Sequence, residues 1–136
     1  MAGYSATPLA QKLGIKPGSR VRTGGAPRNY KDLLQPIPPG AIISSRLSRS
    51  IDIWHLFTCS STELASRLPE LKRAIAPDGT IWVSWPKKSS GVKSSMSEDA
   101  IRVIALPLGL VDIKVCAIDN VWSGLKLVIR KELRNR

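Results

Sequence analysis

The chain has 136 residues, enough for one ordinary domain and too few for two. A hydrophobic share of 43% is that of a globular protein with a real core, which excludes a disordered or fibrous chain. Twenty-one Lys and Arg against ten Asp and Glu give a formal charge of +11. That balance draws a protein toward polyanions and equally serves solubility.

No apolar run approaches the roughly 20 residues that cross a bilayer, so no membrane association is expected. Met1-Ala2-Gly3-Tyr4-Ser5 lacks a basic region followed by an apolar one, the pattern of a secretion signal, and a cytoplasmic protein is expected. Cys59 and Cys116 lie in or beside apolar strand-like runs and read as reduced thiols. His55 is the one histidine and no CxxC pair occurs, so no metal site is expected.

In chain order, Thr7 and Pro8 read as the N-cap and first residue of a short helix that stops at Gly14. A Pro17-Gly18 turn leads into a strand over 20–23, followed by Gly24-Gly25 and a short helix over 29–34. Pro36, Pro38, Pro39 and Gly40 break the chain before a brief strand over 41–44. IDIWHLF, 51–57, is a nearly continuous apolar run of strand length, as expected for a strand covered on both faces. Ser60 precedes Glu63 by three residues, the capping-box spacing, and Leu64, Leu68, Leu71 and Ile75 give the helix that follows one buried stripe. Pro69 predicts a kink or break inside it.

Pro77-Asp78-Gly79 reads as a turn before the strand 80–85, and PKKSSGVKSS reads as a mobile loop. Ser95 and Glu98 repeat the capping-box spacing and predict a helix with Ile101, Ile104, Ala105 and Leu108 on one side, stopped at Gly109. Two closing strands over 110–118 and 122–131 meet at Asp119-Asn120. The alternation predicts a single Rossmann-like α/β domain over 1–136. Its sheet should be mostly parallel, with helices on both faces and an antiparallel closing strand.

This order is similar to that of class I S-adenosylmethionine-dependent methyltransferases: KPG, strand, Gly loop, IDIWHLF, a helix ending in IAPDG, TIWVSW, a helix ending in GL, and a hairpin. A narrower likeness rests on TPLAQKLGIKPG, AIAPDGTIWVSWPKKSSGV and GLVDIKVCAIDNVWSGLKLV, which resemble a bacterial family known as domain of unknown function 3052. The methyltransferase resemblance implies a cofactor site at the strand carboxyl ends, and this chain departs from it at three points. Arg22-Thr23-Gly24-Gly25-Ala26-Pro27 offers two adjacent glycines and no acidic residue after the first strand. Ser44-Ser45-Arg46 stands where a carboxylate would grip ribose hydroxyls. Thr58-Cys59-Ser60-Ser61 replaces the Asp or Asn-Pro-Pro-aromatic signature of nitrogen-methylating members. No cofactor and no catalytic residue are therefore expected, and the reading leans away from an enzyme.

Ligands of open α/β sheets bind outside the strand carboxyl ends. Lys87, Lys88, Trp122 and Ser123, with Gly24 and Gly25, are the candidate ligand-binding residues there. The bland alternative is that Trp85 and Trp122 pack the sheet edge while the lysines are solvated. His55 reads as a satisfied core histidine, Cys59 as a buried structural thiol and Asp119 as a turn former. Gly24-Gly25 serves either a tight turn or a phosphate at the following helix. The leading expectation is a non-catalytic module that binds a partner or anionic ligand at this edge. One alternative is a reduced enzyme that still binds S-adenosylmethionine; another is a basic accessory protein of RNA or the ribosome, with nucleic acid as partner by charge. The sequence leaves the oligomeric state open.

Overall fold

The computed structural model describes residues 7–134. Residues 1–5, read above for a secretion signal, and the last two residues of the basic tail lie outside the described residues. The elements are α1 (Leu9–Leu13), β1 (Arg20–Gly24), α2 (Tyr30–Leu33), β2 (Ile42–Ser44), β3 (Ile51–Phe57), α3 (Ser61–Ala74), β4 (Ile75–Pro86), α4 (Glu98–Ala105), β5 (Leu110–Ala117) and β6 (Trp122–Ile129). They form one six-stranded sheet in the order β2-β1-β3-β4-β6-β5. β1 to β4 pair in parallel, whereas β6 is antiparallel to both β4 and β5 and wedges between them. This is the mostly parallel α/β sheet with one reversed closing strand that the sequence predicts.

β3 is covered on both sides, as its apolar run implies. Trp54 and Leu56 face a core built with Leu64, Leu68 and Leu71 of α3 and Ile101 of α4. Ile53 and Phe57 face a second core with Leu13 of α1, Tyr30 of α2 and Trp82 of β4. The Trp82 indole N–H donates to the Leu13 carbonyl at 3.0 Å, which pins α1 to the sheet. Two guanidinium groups also lie over the Trp54 ring, Arg22 at 4.8 Å and Arg67 at 5.3 Å from its centre.

Several local expectations change in detail. α1 begins at Leu9 with Pro8 as the capping residue, one position later than Thr7 would place it. α3 runs unbroken through Pro69. The amide that proline lacks would have met the carbonyl of Ala65, on the exposed face of the helix, so its loss opens nothing inside the core. The Ser60 hydroxyl accepts from the Glu63 amide at 3.1 Å, but the Glu63 carboxylate takes the Thr58 hydroxyl instead of closing a reciprocal box.

Helix α4 is capped by Ser97, not Ser95: the Ser97 hydroxyl accepts from the Ala100 amide at 3.0 Å. Met96 is buried, and the Ser95 hydroxyl is occupied by the Ser61 amide at 2.8 Å, so the chain stays extended for two further residues. Pro77-Asp78-Gly79 does not precede β4 but bulges from it: Ile75 pairs with Ile51 and Thr80 with Ile53, leaving residues 76–79 opposite Asp52 alone. Within the PKKSSGVKSS segment, Lys88–Ser90 forms a single 3-10 turn closed at Gly91.

At the middle of β3, His55 is fully buried with both ring nitrogens occupied. Nδ1 lies 2.7 Å from the Tyr30 hydroxyl and Nε2 lies 2.7 Å from the Ser84 hydroxyl. Burial disfavours the imidazolium and lowers the His55 pKa to about 3. A base whose folded pKa lies below its unfolded value near 6.5 contributes its full stability above that unfolded value. It loses that stability as pH falls from there toward about 3. Urea unfolding followed from about pH 7 down to about pH 5 should show stability falling with a limiting slope of about 1.4 kcal/mol per pH unit. His55→Gln should flatten that slope, and an equally steep fall in the variant would contradict the assignment.

Candidate functional site

The carboxyl ends of β1 to β4 form one rim of the molecule, and β6 starts at the same rim. The register sets Trp122 opposite Pro86 and Ser123 opposite Trp85, so Lys87 follows directly beside the hairpin. The Lys87 amide donates to the Val121 carbonyl at 2.7 Å, and its ammonium donates to the Asp119 carbonyl at 2.7 Å. Lys87 is thus half-buried and latched to the hairpin, while Lys88 is exposed on the turn that follows. Asp119 builds the turn itself, its carboxylate accepting the amides of Val121 and Trp122 at 2.8 Å each. Trp122 is half-buried and meets Phe57 edge-to-face at 5.1 Å, and Trp85 packs on the larger core.

Gly24 and Gly25 lie along the same rim, beside the end of β3. A side chain at Gly24 would begin 2.8 Å from the Trp54 ring, and one at Gly25 would begin 2.6 Å from the Phe57 carbonyl oxygen. Gly25 also has φ +68°, the left-handed region. Close packing against β3 requires both glycines. The helix that follows them in the chain, the four-residue α2, starts only at Tyr30. Of the sequence candidates, the structure therefore brings Lys87, Trp122 and Ser123 together, holds Lys88 next to them, and puts Gly24-Gly25 farther along, against Phe57.

One feature of the rim is missing from the sequence reading. Past the ends of β1 and β2 opens a cleft of about 370 Å³ whose lining includes Thr23, Tyr30, Arg28, Lys31, Ser45 and Arg46. Three cations and several hydroxyls converge there, and no carboxylate lines it. Read along the chain, Ser44-Ser45-Arg46 registers only as the absence of an acid. Its partners Arg28 and Lys31 lie beyond the proline-rich break, so no spacing joins them.

His55 is neutral and enclosed. Cys59 and Cys116 are free and half-buried, and burial pushes the Cys116 thiol up against the opposing pull of Lys12 and Lys114. Among the described residues, no group of three or more His, Cys, Asp or Glu is placed to hold a metal ion. No helix among them is long and apolar enough to cross a membrane.

No family model matches the chain, and no curated protein matches it. Solved structures do. A SAM-dependent methyltransferase from Aquifex aeolicus superposes with a TM-score of 0.62 at 13% identity, covering 89% of this chain and 88% of that one. The magnesium protoporphyrin IX methyltransferase from Synechocystis PCC 6803, solved with bound SAH, gives a TM-score of 0.56 at 14% identity over 89% of this chain and 79% of its own. At such identities the likeness establishes the fold, and the fold is of the methyltransferase type.

The latch geometry separates the two lysines of the rim. Lys87→Ala removes a charged donor from a half-buried carbonyl and should lower the unfolding free energy by about 1 kcal/mol. Lys88→Ala should change it by no more than about 0.5 kcal/mol. Urea unfolding of the two single variants measures both, and equal effects would mean that the latch contributes nothing.

Proposed function

We propose that this chain is a non-catalytic binding module on a methyltransferase-type fold, taking an anionic ligand at the carboxyl rim of its sheet. The observation that carries the reading is the acid-free cleft between Arg28, Lys31 and Arg46. A nucleoside with free ribose hydroxyls is held in such folds by a carboxylate acceptor, whereas arginine at that place suits phosphate. Guanidinium groups bind phosphate or carboxylate oxygens through paired, charge-assisted hydrogen bonds. Thr23, Ser44 and Ser45 supply hydroxyls to orient the bound group.

Lys87, Lys88, Trp122 and Ser123 extend the same proposal along the rim. One N–H of the Lys87 ammonium serves the hairpin, and its two others remain for an anion. Gly24 and Gly25 hold the floor between the two ends flat against β3. The likeness to domain-of-unknown-function family 3052 fits this reading and adds no activity to it.

The shared fold favours a second reading, a reduced methyltransferase that binds S-adenosylmethionine through backbone contacts. Calorimetry separates the two. ATP and inorganic pyrophosphate should bind at low salt, and S-adenosylmethionine should bind weakly or give no heat. The double variant Arg28→Ala, Arg46→Ala should lose about tenfold or more in ATP affinity, since each charged hydrogen bond is worth about 1.5 kcal/mol or more. A dissociation constant for S-adenosylmethionine in the low micromolar range or below would overturn the proposal in favour of the second reading.

A further inference from the structure

The open face of the sheet beside α1 carries a cluster of lysines that the rim does not use. Lys114 of β5 and Lys126 of β6 stand directly opposite each other in the ladder, and Trp82 is the partner of Lys126 on its other side. Lys16, from the turn after α1, lines the same cleft as Lys126. Lys12, on α1, acts with Lys114 to favour the charged form of the Cys116 thiol. Residues far apart in the chain thus meet on one surface.

The arrangement is unfavourable by itself. Like charges directly opposite in an antiparallel pair repel. The Lys126 ammonium is held below its ordinary pKa, first by burial and then by the fields of Lys114 and Lys16. Among the described residues, every ion pair belongs to Arg102, which gathers Glu98, Asp99 and Asp112 on the α4 side of the sheet. Asp52 and Asp78 sit in the wall of the cleft shared by Lys16 and Lys126, and the Asp52 carboxylate accepts the Arg20 amide at 2.8 Å.

We propose that Lys12, Lys16, Lys114 and Lys126 form a docking surface for the phosphate backbone of duplex nucleic acid, with phosphates offsetting the repulsion built into the β5–β6 ladder. The occupant is chosen by chemistry. A row of phosphates presents repeated charge to spaced lysines, which contact it without reading bases. Binders of single strands use exposed aromatic platforms for stacking. On this face Trp82 and Tyr30 are buried, and no aromatic is among the exposed large hydrophobic residues described. The surface is independent of the rim proposal, since it lies on the sheet face and uses none of the rim residues.

The test is fluorescence anisotropy with the full chain and a labelled DNA duplex of about 20 base pairs, titrated at several salt concentrations. Wild type should bind regardless of sequence, and its affinity should fall steeply with salt. Lys114→Ala, Lys126→Ala should weaken binding by about tenfold at about 0.1 M salt and reduce the log–log salt slope by about 2. The double variant Lys114→Arg, Lys126→Arg should retain binding. Arg73→Ala, Lys93→Ala removes the same charge elsewhere and should change affinity far less. Thermal melting guards against misfolding: relief of the cross-strand repulsion should leave the lysine-to-alanine variant at least as stable as wild type. Equal losses in the two alanine variants, no binding at low salt, or tighter binding to phosphatidylserine vesicles than to the duplex would each overturn the proposal.

Discussion

His55 is the constraint around which the sheet is assembled. A neutral imidazole can donate through one nitrogen and accept through the other, so a fully buried one needs two partners placed in line with its ring. Tyr30 supplies one from α2 and Ser84 the other from β4, and the ring lies stacked on Phe57 at 4.2 Å. Burial raises the Tyr30 pKa as it lowers that of His55, so both groups stay neutral and the chain of hydrogen bonds carries no charge into the core. Either tautomer satisfies it. Removing any member strands a buried polar atom, which costs about 1–3 kcal/mol. The network therefore fixes how α2 and β4 sit against β3, and with them the positions of Tyr30 and Thr23 in the cleft wall.

The fold and the chemistry of the rim point in different directions. A methyltransferase-type sheet leads ligands to the carboxyl ends of its strands whatever its sequence. What binds there depends on the groups presented. Two arginines and a lysine with no acid line the cleft, and the proposed anionic ligand follows from that charge. Glycine does not reverse this. Gly24 and Gly25 have a packing cause against Trp54 and Phe57, so their presence does not imply close approach of a cofactor.

How much of this was legible along the chain follows from the range of each interaction. The buried strand IDIWHLF, the cap at Ser60 and the hairpin closed by Asp119 depend on neighbours within a few residues, and a one-dimensional pattern carries them. The reversal of β6 was legible because a tight hairpin forces antiparallel pairing with β5. Ser95 and Ser97 offer equivalent capping chemistry, and the choice between them rests on Met96 entering the core and Ser61 needing an acceptor. The excursion over 76–79 depends on the partner strand, since only the pairing of Ile51 with Ile75 makes it a bulge. The basic cleft and the lysine face were least visible, because each joins side chains from different crossovers.

The five-residue α1 reaches Trp82 through the Leu13 carbonyl, while farther along the same side of the sheet Lys114 is exposed and Lys126 half-buried. Side chains on that part of the sheet must face water, and lysine serves there because its long apolar stem lies on the sheet while its charge stays solvated. Solubility alone would be met by charges of mixed sign, which attract one another across strands and stabilise the ladder. This chain instead gathers Glu98, Asp99 and Asp112 around Arg102 on the far face and leaves Lys114 against Lys126 on the near one. The Lys114–Lys126 pair forfeits that cross-strand stabilisation. Phosphates docked there, as proposed, would offset the repulsion between the two lysines.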